Sequence, residues 1–396
     1  MHWITLTLAL GALAGCRSFV AADGGSDTAL PLVVDAHVHA AMRLVSGPAT
    51  SLVDGQGGGQ LDAERARRGG LRIAFSAALL GAWEDGDPEV LAQRQFAAVA
   101  AQQAAAPDRL ALARTPDEAQ AQALGGRLVL VHALENGRDL DDDLAPLKRY
   151  RDAGVRMLSL VHSSSNNLAD SGGDAARWQG LSPLGARAIA EANSLGLWVD
   201  LSHASEATIL AAARQTRAPL IASHTAAAAL VPDNPANLSD TAIRAIADSG
   251  GLVCVFFGSE ALVRGYLPQA RDIKREVVAE LHARGIDLSS QEAEAFAAAE
   301  FDRRLPRASV ADVADHIAHV VRIAGAQHAC LGSDFDGIGP TAARGLEDVA
   351  AYPALFDELR RRGLDENAIA AVAGGNLLRT WRVVLARAGR GAAADH

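Results

Sequence analysis

The sequence predicts an α/β fold, a (β/α)8 TIM barrel in a single domain, and three observations predict it. Eight short runs are nearly continuous in apolar residues, as expected of parallel strands that are buried on both faces. Stretches of helical length rich in Ala, Arg and Glu separate these runs. Single His or acidic residues follow several of the runs, and in this fold the strand ends converge on one face. The repeated strand–helix order favours one barrel over two separate domains.

Each predicted element follows from this pattern. The predicted strands are 31–36, 71–77, 127–133, 155–161, 197–202, 219–223, 251–257 and 329–333. Helical stretches between them include 89–105, 144–153, 183–195, 206–214, 239–249 and 309–324. The longest connection, 258–308, follows the seventh strand and has its own helical pattern near 270–283 and 290–303. This long insertion is predicted to be a lid or substrate wall, or equally a structural insertion or a homodimer contact.

The composition indicates the size of core that the chain can form and the kinds of partner that it can bind. A chain of 396 residues that is 49% hydrophobic can bury one large barrel core. The net charge of −10 and the lack of a basic run argue against nucleic acid as a partner. Of the 37 basic residues only Lys148 and Lys274 are lysines, and both fall in helical stretches. Lysine is therefore a poor candidate for a metal ligand at a strand end.

The first residues have the pattern of an export signal. Trp3 to Ala14 form an apolar stretch that is too short to span a bilayer, and it ends in Leu13-Ala14-Gly15-Cys16. This ending resembles a bacterial lipobox, in which the cysteine is acylated after cleavage. We expect a lipoprotein-type signal over 1–16, a flexible tether over 17–30 and the barrel domain over 31–390. Membrane contact is then through the lipid on Cys16 only, on the periplasmic side; a plain secretory signal is the alternative.

Two further cysteines, Cys254 and Cys330, fall inside predicted strands. Buried free thiols are the expected state, because free cysteine behaves as a small hydrophobic residue. The sequence contains no C-x-x-C spacing, so the cysteines do not form a zinc cluster.

The residues at the strand ends suggest a metal centre. His37 and His39 end the first strand, and strand alternation points both imidazoles to one side, where they can bind one ion. Glu135 follows the third strand, and a carboxylate can bridge two metals. His203 and His224 end the fifth and sixth strands, within reach of a second ion.

Two other residues are candidates for the chemistry itself. Asp334 ends the eighth strand and is placed to act as a general base on water. His162 follows the fourth strand, and we expect it to polarise the substrate carbonyl or hold an oxyanion. A hydrogen-bonding His that only supports the site is the alternative for His162.

Taken singly, each of these histidines is more often an ordinary hydrogen-bonded residue. Taken together, their common position at strand ends makes that explanation weak. Other histidines are assigned no metal: His132 is expected to face the helices, and His316 and His319, although spaced i, i+3, are expected to lie on a polar helix face.

Ordered motifs across most of the chain extend the argument. They are Gly180-Leu181-Ser182-Pro183-Leu184-Gly185, Asn193-Ser194-Leu195-Gly196, Asp200-Leu201-Ser202-His203, Ala222-Ser223-His224, Asn237-Leu238-Ser239-Asp240, Gly332-Ser333-Asp334-Phe335-Asp336-Gly337, Gly345-Leu346-Glu347-Asp348 and Gly375-Asn376-Leu377-Leu378-Arg379. With these motifs the chain resembles the membrane dipeptidase (renal dipeptidase) family of the amidohydrolase superfamily, from about residue 31 to 385.

The resemblance implies a barrel with two zinc ions bridged by Glu135. It implies His37 and position 39 on one ion, and His203 and His224 on the other. It also implies that His162 contacts the substrate and Asp334 handles protons. A bridging hydroxide would then attack the scissile amide of a dipeptide.

Two positions depart from the family pattern. The family has Asp where this chain has His39, so a neutral ligand replaces an anionic one and leaves the first ion more electron-poor. The family has an Arg that pairs with the terminal carboxylate of the dipeptide where this chain has Ala236. Loss of that contact removes roughly 1.5–3 kcal/mol, unless Arg344 or another basic residue replaces it.

The sequence thus predicts an exported binuclear zinc hydrolase that cleaves dipeptides or related small amides. One alternative is hydrolysis of amides or lactams that lack a free carboxylate. The other is a catalytically weak metal- or ligand-binding lipoprotein. The retained set of site residues argues against the binding protein, because a dead site places no chemical demand on them.

Overall fold

The computed structural model describes residues 30–46, 50–81, 86–140, 144–288 and 290–389. The predicted signal over 1–16, with Cys16, and all but the last residue of the predicted tether over 17–30 lie outside the described residues. The described residues contain no helix that is both long enough and apolar enough to cross a bilayer.

A closed parallel barrel forms the centre of the molecule. Its strands are β1 Val33–Val38, β2 Leu71–Leu79, β3 Leu110–Leu112, β4 Leu128–Glu135, β5 Val155–Ser159, β6 Trp198–Asp200, β7 Ile221–Thr225, β8 Leu252–Val255 and β9 Ala329–Leu331. The hydrogen-bonded order β2-β1-β9-β8-β7-β6-β5-β4 closes on itself through pairing of β2 with β4. All eight predicted strands are present, and the predicted TIM barrel is confirmed.

The short strand β3 was not predicted. It pairs with the first half of β4, with Leu110 opposite Leu128, whereas β5 pairs with the second half, with Leu158 opposite Leu134. Three residues with the sequence Leu-Ala-Leu carry no periodicity that separates a strand from a helix. The β3 segment therefore extends the sheet at the end of the barrel where β4 begins.

Helices surround the barrel. They are α1 Ala40–Ser46, α2 Ala63–Gly69, α3 Pro88–Ala105, α4 Pro116–Leu124, α5 Ala145–Ala153, α6 Pro183–Leu195, α7 Glu206–Gln215, α8 Asp240–Asp248, α9 Ser259–Leu262, α10 Tyr266–Ala283, α11 Gln291–Arg304, α12 Val310–Ala324, α13 Tyr352–Arg361, α14 Glu366–Ala370 and α15 Asn376–Arg387. Several begin at Ser caps, as where the Ser182 hydroxyl accepts a hydrogen bond from the Gly185 N–H and Pro183 occupies the first turn. The predicted helical stretches agree with these bounds.

Aromatic side chains fill the barrel interior toward the end opposite the C-terminal ends of the strands. The Phe75 ring lies 6.4 Å from that of Trp198 and 5.2 Å from that of Trp381 on α15, measured between ring centroids. All three side chains are fully buried. Helix α15 therefore closes this end, and polar residues collect at the other end, where the strands terminate.

The insertion after β8 contains α9, α10 and α11, and α10 and α11 fall where the sequence predicts helices. Helices α10 and α11 share a small apolar cluster of their own, which includes Ile273, Val277, Leu281, Ala293 and Ala297. The segment is thus an ordered layer, packed partly on itself, beside the face where the strands end.

The expectation of free thiols is wrong. Cys254 of β8 and Cys330 of β9 are register partners on neighbouring strands, with Cα atoms 4.1 Å apart, and they form a disulfide. Both residues are fully buried. The sequence places each cysteine in a strand, but only the register of the two strands sets them side by side.

Candidate metal centre

The end of β1 presents two imidazoles to one place. His37 is the fifth residue of β1 and His39 follows the strand directly, and both are buried. Their Nε2 atoms lie 3.3 Å apart. The His39 N–H donates to the Phe335 carbonyl, which ties the end of β1 to the segment after β9. Strand alternation thus brings the two rings together, as predicted.

Glu135 lies between two pairs of histidines. It is the last residue of β4 and is 1% exposed. Its Oε2 is 3.5 Å from the His37 Nε2 and 3.3 Å from the His39 Nε2. Its Oε1 is 3.1 Å from the His203 Nε2 and 3.5 Å from the His224 Nε2. Each carboxylate oxygen therefore faces a different pair of imidazoles.

The second pair comes from β7 and the segment after β6. His224 lies within β7, and His203 follows β6 with a positive φ of 64°. Their Nε2 atoms are 2.8 Å apart. A positive φ is uncommon for a residue other than glycine, and such residues are found preferentially at functional sites.

Asp334 and His162 flank this cluster on different sides. Asp334, also at positive φ (62°), has its Oδ1 2.9 Å from the His39 Nε2 and 3.8 Å from the His37 Nε2. The His162 Nε2 lies 3.8 Å from Oε1 of Glu135, and its ring centroid is 4.4 Å from that of His203. Asp334 thus adjoins the first pair and His162 the second.

Charge interactions dominate this cluster. Burial lowers the pKa of His37, but the negative charges of Glu135 and Asp334 outweigh burial and raise it to about 9. Burial opposes ionisation of Glu135, yet the charge of His37 holds the pKa of Glu135 well below its usual value. An ionised, buried carboxylate requires nearby positive charge.

A hydroxyl beneath the cluster orders two of the rings. The Ser223 Oγ is 2.7 Å from Oδ2 of Asp200, and 3.0 Å from Nδ1 of both His37 and His224. A carboxylate can only accept, so the hydroxyl proton goes to Asp200 and Oγ accepts from both Nδ1–H groups. In each ring Nδ1 is thereby engaged, and Nε2 is the nitrogen that faces Glu135 and could bind a metal.

Sequence reasoning did not assign roles to Ser223, Asp200 or Asp35. The Oδ1 of Asp35 accepts the backbone N–H of His37 and of Ser333, which joins β1 to the segment after β9. A usable signal was present, because each of these residues lies one to three positions before a site histidine. Their pairing across strands was visible only in the fold.

A close backbone approach holds this layer together. A Cβ on Gly332 would lie 1.7 Å from the Ser223 carbonyl oxygen, so only glycine fits there. Gly332 thereby lets the segment that carries Asp334 pack directly against β7.

The residues fit a metal site. Three overlapping groups have ligand atoms within 4.8 Å of one another: His37, Glu135 and His224; His37, His39 and Asp334; and Glu135, His162 and His203. Among the described residues, the buried His39 Nδ1 has no hydrogen-bond partner, and Oε2 of Glu135 and Oδ1 of Asp334 lie near ring nitrogens of the cluster without a hydrogen bond of good geometry. Imidazole nitrogens and carboxylate oxygens of this kind are typical zinc ligands.

The remaining histidine predictions have mixed outcomes. His132 faces the helices as expected, with its ring centroid 4.6 Å from that of Phe96 on α3. The expectation of a polar face for His316 and His319 is wrong, because both are buried. His316 accepts the Ala227 N–H, and the His319 Nε2 lies 2.6 Å from Oδ1 of Asp240. Both rings therefore form hydrogen bonds with α8 or with the segment between β7 and α8, and not with solvent.

The two positions relevant to the carboxylate contact are partly or fully exposed. Ala236 donates its N–H to Oδ1 of Asn234 and accepts from the Thr225 hydroxyl, so its backbone is held in place. Arg344 is exposed, and its backbone bonds to Ala308 and Val310.

Comparison with known proteins identifies the family of this chain. The family described as membrane dipeptidase (Peptidase family M19) matches residues 28–393. Dipeptidase aclJ of Aspergillus oryzae is 35% identical over 257 residues, which are 64% of this chain and 51% of that protein. Dipeptidase 3 of Rattus norvegicus is 31% identical over 266 residues, 65% of this chain and 45% of that protein. The chain spans about half the length of these curated relatives.

Solved structures show the same architecture. The probable dipeptidase PvdM from Pseudomonas aeruginosa has a TM-score of 0.76 and 28% identity, with 90% of this chain and 96% of that chain covered. A metallo peptidase from Rhodobacter sphaeroides, solved with a phosphinate mimic of L-Ala-D-Ala, has a TM-score of 0.73 and 24% identity, with 89% and 99% covered. The second likeness concerns the fold.

Proposed function

Because this chain belongs to the membrane dipeptidase family, we propose that it is a metal-dependent hydrolase that cleaves the amide bond of dipeptides or related small amides. One observation carries this proposal: the carboxylate of Glu135 lies between two pairs of imidazoles, with one oxygen toward each pair.

We propose two zinc ions at this site. His37 and His39 would hold one ion, His203 and His224 the other, and Glu135 would contact both. When bound, the ions supply the Lewis acidity that makes water nucleophilic at neutral pH. Supporting this division, the Nε2 atoms fall into two close pairs, 3.3 Å and 2.8 Å apart.

Asp334 and His162 would act on opposite sides of the reacting amide. Asp334 would accept a proton from the attacking water and pass it to the leaving nitrogen, as a general base and then acid. Burial lowers the pKa of His162 to about 4, so this ring is neutral at pH 7. A neutral imidazole can still donate one N–H, and His162 would hold the developing oxyanion with it.

The substrate and the reaction each have an alternative to this proposal. Ala236 provides no charge for a terminal carboxylate, so amides or lactams without a free carboxylate are the alternative substrates. A metal- or ligand-binding protein with weak catalysis is the alternative from another class. Against it stand the convergence of five candidate metal ligands and the placement of Asp334 beside His39.

We also propose export, with a lipid on Cys16 as the sole membrane attachment. The motif Leu13-Ala14-Gly15-Cys16 supports this proposal. Mass measurement of the mature N-terminus after expression in a bacterium tests it, and an unmodified, uncleaved Cys16 would refute it.

The experiment for the enzyme is metal analysis of the purified protein together with hydrolysis of a panel of dipeptides and dipeptide amides. Two metals per chain with turnover of dipeptides is the expected result. Two metals with turnover of amides only would select the alternative substrates. Fewer than two metals and no turnover after zinc addition would favour the binding protein.

A further inference from the structure

Glu260 lies beside the metal centre but takes no part in it. It is the second residue of α9, in the segment that follows β8 on the face where the strands end. A Cβ built on Gly258 would lie 2.5 Å from Cζ of Phe256 and 2.8 Å from Oε1 of Glu260. The carboxylate therefore adjoins the outer edge of the Phe256 ring, whose centroid is 6.0 Å from that of His224.

The carboxylate of Glu260 has an unsatisfied oxygen. The side chain is partly exposed, but its Oε2 is shielded from solvent and has no hydrogen-bond partner among the described residues. No Lys or Arg of the described ranges forms an ion pair with it. Burial raises the pKa of Glu260 to about 7, and the charge of Asp334 contributes to the increase. Hydrogen bonds from its own backbone N–H and from the Thr341 side chain oppose this increase but supply no positive charge, so a cation next to Oε2 would favour the ionised carboxylate.

The backbone around Glu260 is held rigidly. Asn234 donates its side-chain N–H to the Glu260 carbonyl and accepts the Ala236 N–H with its own Oδ1. Ser259 is tied to the Thr341 carbonyl through its hydroxyl. Helix α9, which carries Glu260, and the loop that carries Ala236 are thus joined by the side chain of Asn234, and position 236 contributes no positive charge. A rigid position is what recognition of a ligand group requires.

We propose that Glu260 is a specificity-determining residue that binds a cationic group of the substrate, an ammonium or guanidinium. The substrate class is then small amides or dipeptides with a positive charge directed toward α9. This inference rests on the proposed hydrolase function. The cation is either the free α-ammonium of the substrate or a basic side chain. Both supply a positively charged N–H donor that can pair with the carboxylate of Glu260.

The first test measures binding alone, so that it does not depend on turnover. Lysinamide, norleucinamide and N-acetyl-norleucinamide would be titrated into the zinc-loaded protein and its Glu260→Gln variant. A side-chain site predicts that lysinamide binds about ten-fold or more tighter than norleucinamide. An α-ammonium site predicts the same ratio between norleucinamide and its acetylated form. In either case Glu260→Gln should abolish the preference.

The second test uses the hydrolysis of Ala-Lys, Ala-Leu and N-acetyl-Ala-Leu. Glu260→Gln should lower kcat/KM for the preferred cationic substrate by about ten-fold to a hundred-fold, mainly through KM. Glu276→Gln removes the same charge from an exposed position on α10 and should leave the ratios unchanged. Glu260→Met serves as a second variant if the Gln variant is poorly folded.

The results separate the two proposals. Cation preference in binding without any turnover would refute the hydrolase and retain the Glu260 site. Turnover with a charged-to-neutral ratio that Glu260→Gln and Glu260→Met leave unchanged would refute the Glu260 site and retain the hydrolase.

Discussion

The hydroxyl of Ser223 donates to Oδ2 of Asp200 at 2.7 Å. The Ser223 Oγ also accepts from Nδ1 of His37 and of His224, which belong to different pairs of candidate metal ligands. One buried hydroxyl thereby sets the tautomer of a ring in each pair. Groups that orient metal-bound imidazoles usually affect metal affinity as well as activity.

Replacing Ser223 with Ala should therefore weaken both metal positions together. The expected loss is about 10- to 100-fold in zinc affinity, because both rings lose the acceptor that orients them. Competition with a zinc chelator would measure it, and circular dichroism would confirm folding. Ser194→Ala, at an exposed hydroxyl on α6, is the matched control. Unchanged affinity at both positions would contradict the shared role of Ser223.

His39→Asp should tighten the first metal position. The substitution adds a carboxylate near Asp334 and Glu135, whose oxygens lie 2.9 Å and 3.3 Å from the His39 Nε2. We expect about ten-fold tighter zinc binding, equivalent to about 1.4 kcal/mol.

A second measurement, made on the metal-free protein, reports the charge effect of the His39→Asp substitution separately from its effect on metal binding. The metal-free variant should melt at a lower temperature than the metal-free parent, because three carboxylates then repel one another. His282→Asp, on the exposed side of α10, is the control. Identical zinc affinity in His39→Asp and the parent would exclude residue 39 as a ligand.

Ala236→Arg should restore recognition of a terminal carboxylate. The backbone of residue 236 is held by Asn234 and Thr225, so the new side chain extends from a fixed point. We expect kcat/KM for dipeptides with a free carboxylate to rise by about 10- to 100-fold, with little change for dipeptide amides. Ala236→Gln controls for side-chain size. An equal effect on acids and amides would disprove the carboxylate contact.

Acid should destabilise the fold through His316. Burial lowers the pKa of His316 to about 4, and its Nδ1 accepts the Ala227 N–H only when unprotonated. The pKa of a histidine in the unfolded chain is near 6.5. The stability that depends on a neutral His316 is therefore fully present above pH 6.5 and is lost as the pH falls toward 4. The maximum loss is roughly 3 kcal/mol.

Thermal unfolding across this pH range tests the role of His316. His316→Gln keeps an acceptor that does not titrate, so its melting temperature should fall less steeply than that of the parent. His282→Gln should follow the parent curve, because His282 is exposed. Parallel curves for His316→Gln and the parent would show that His316 does not carry the effect.

Much of the fold follows from local patterns. Buried parallel strands are continuous in apolar residues, and the stretches between them are rich in the helix-forming residues Ala, Arg and Glu, so eight strands and the insertion helices were predictable. β3 was not, because three apolar residues have no distinguishing period. His316 and His319 were misplaced because a helical i, i+3 pair does not reveal which neighbour covers it.

The sequence by itself determined the barrel, the family resemblance and the residues at the strand ends, because these depend on periodicity and order along the chain. Tertiary structure alone decided which atoms meet. It set Glu135 between two histidine pairs, joined Cys254 to Cys330, placed Ser223 beneath two rings and left Glu260 without a cation. The physical reason is that such contacts depend on strand register and loop packing, which bring together residues distant in sequence.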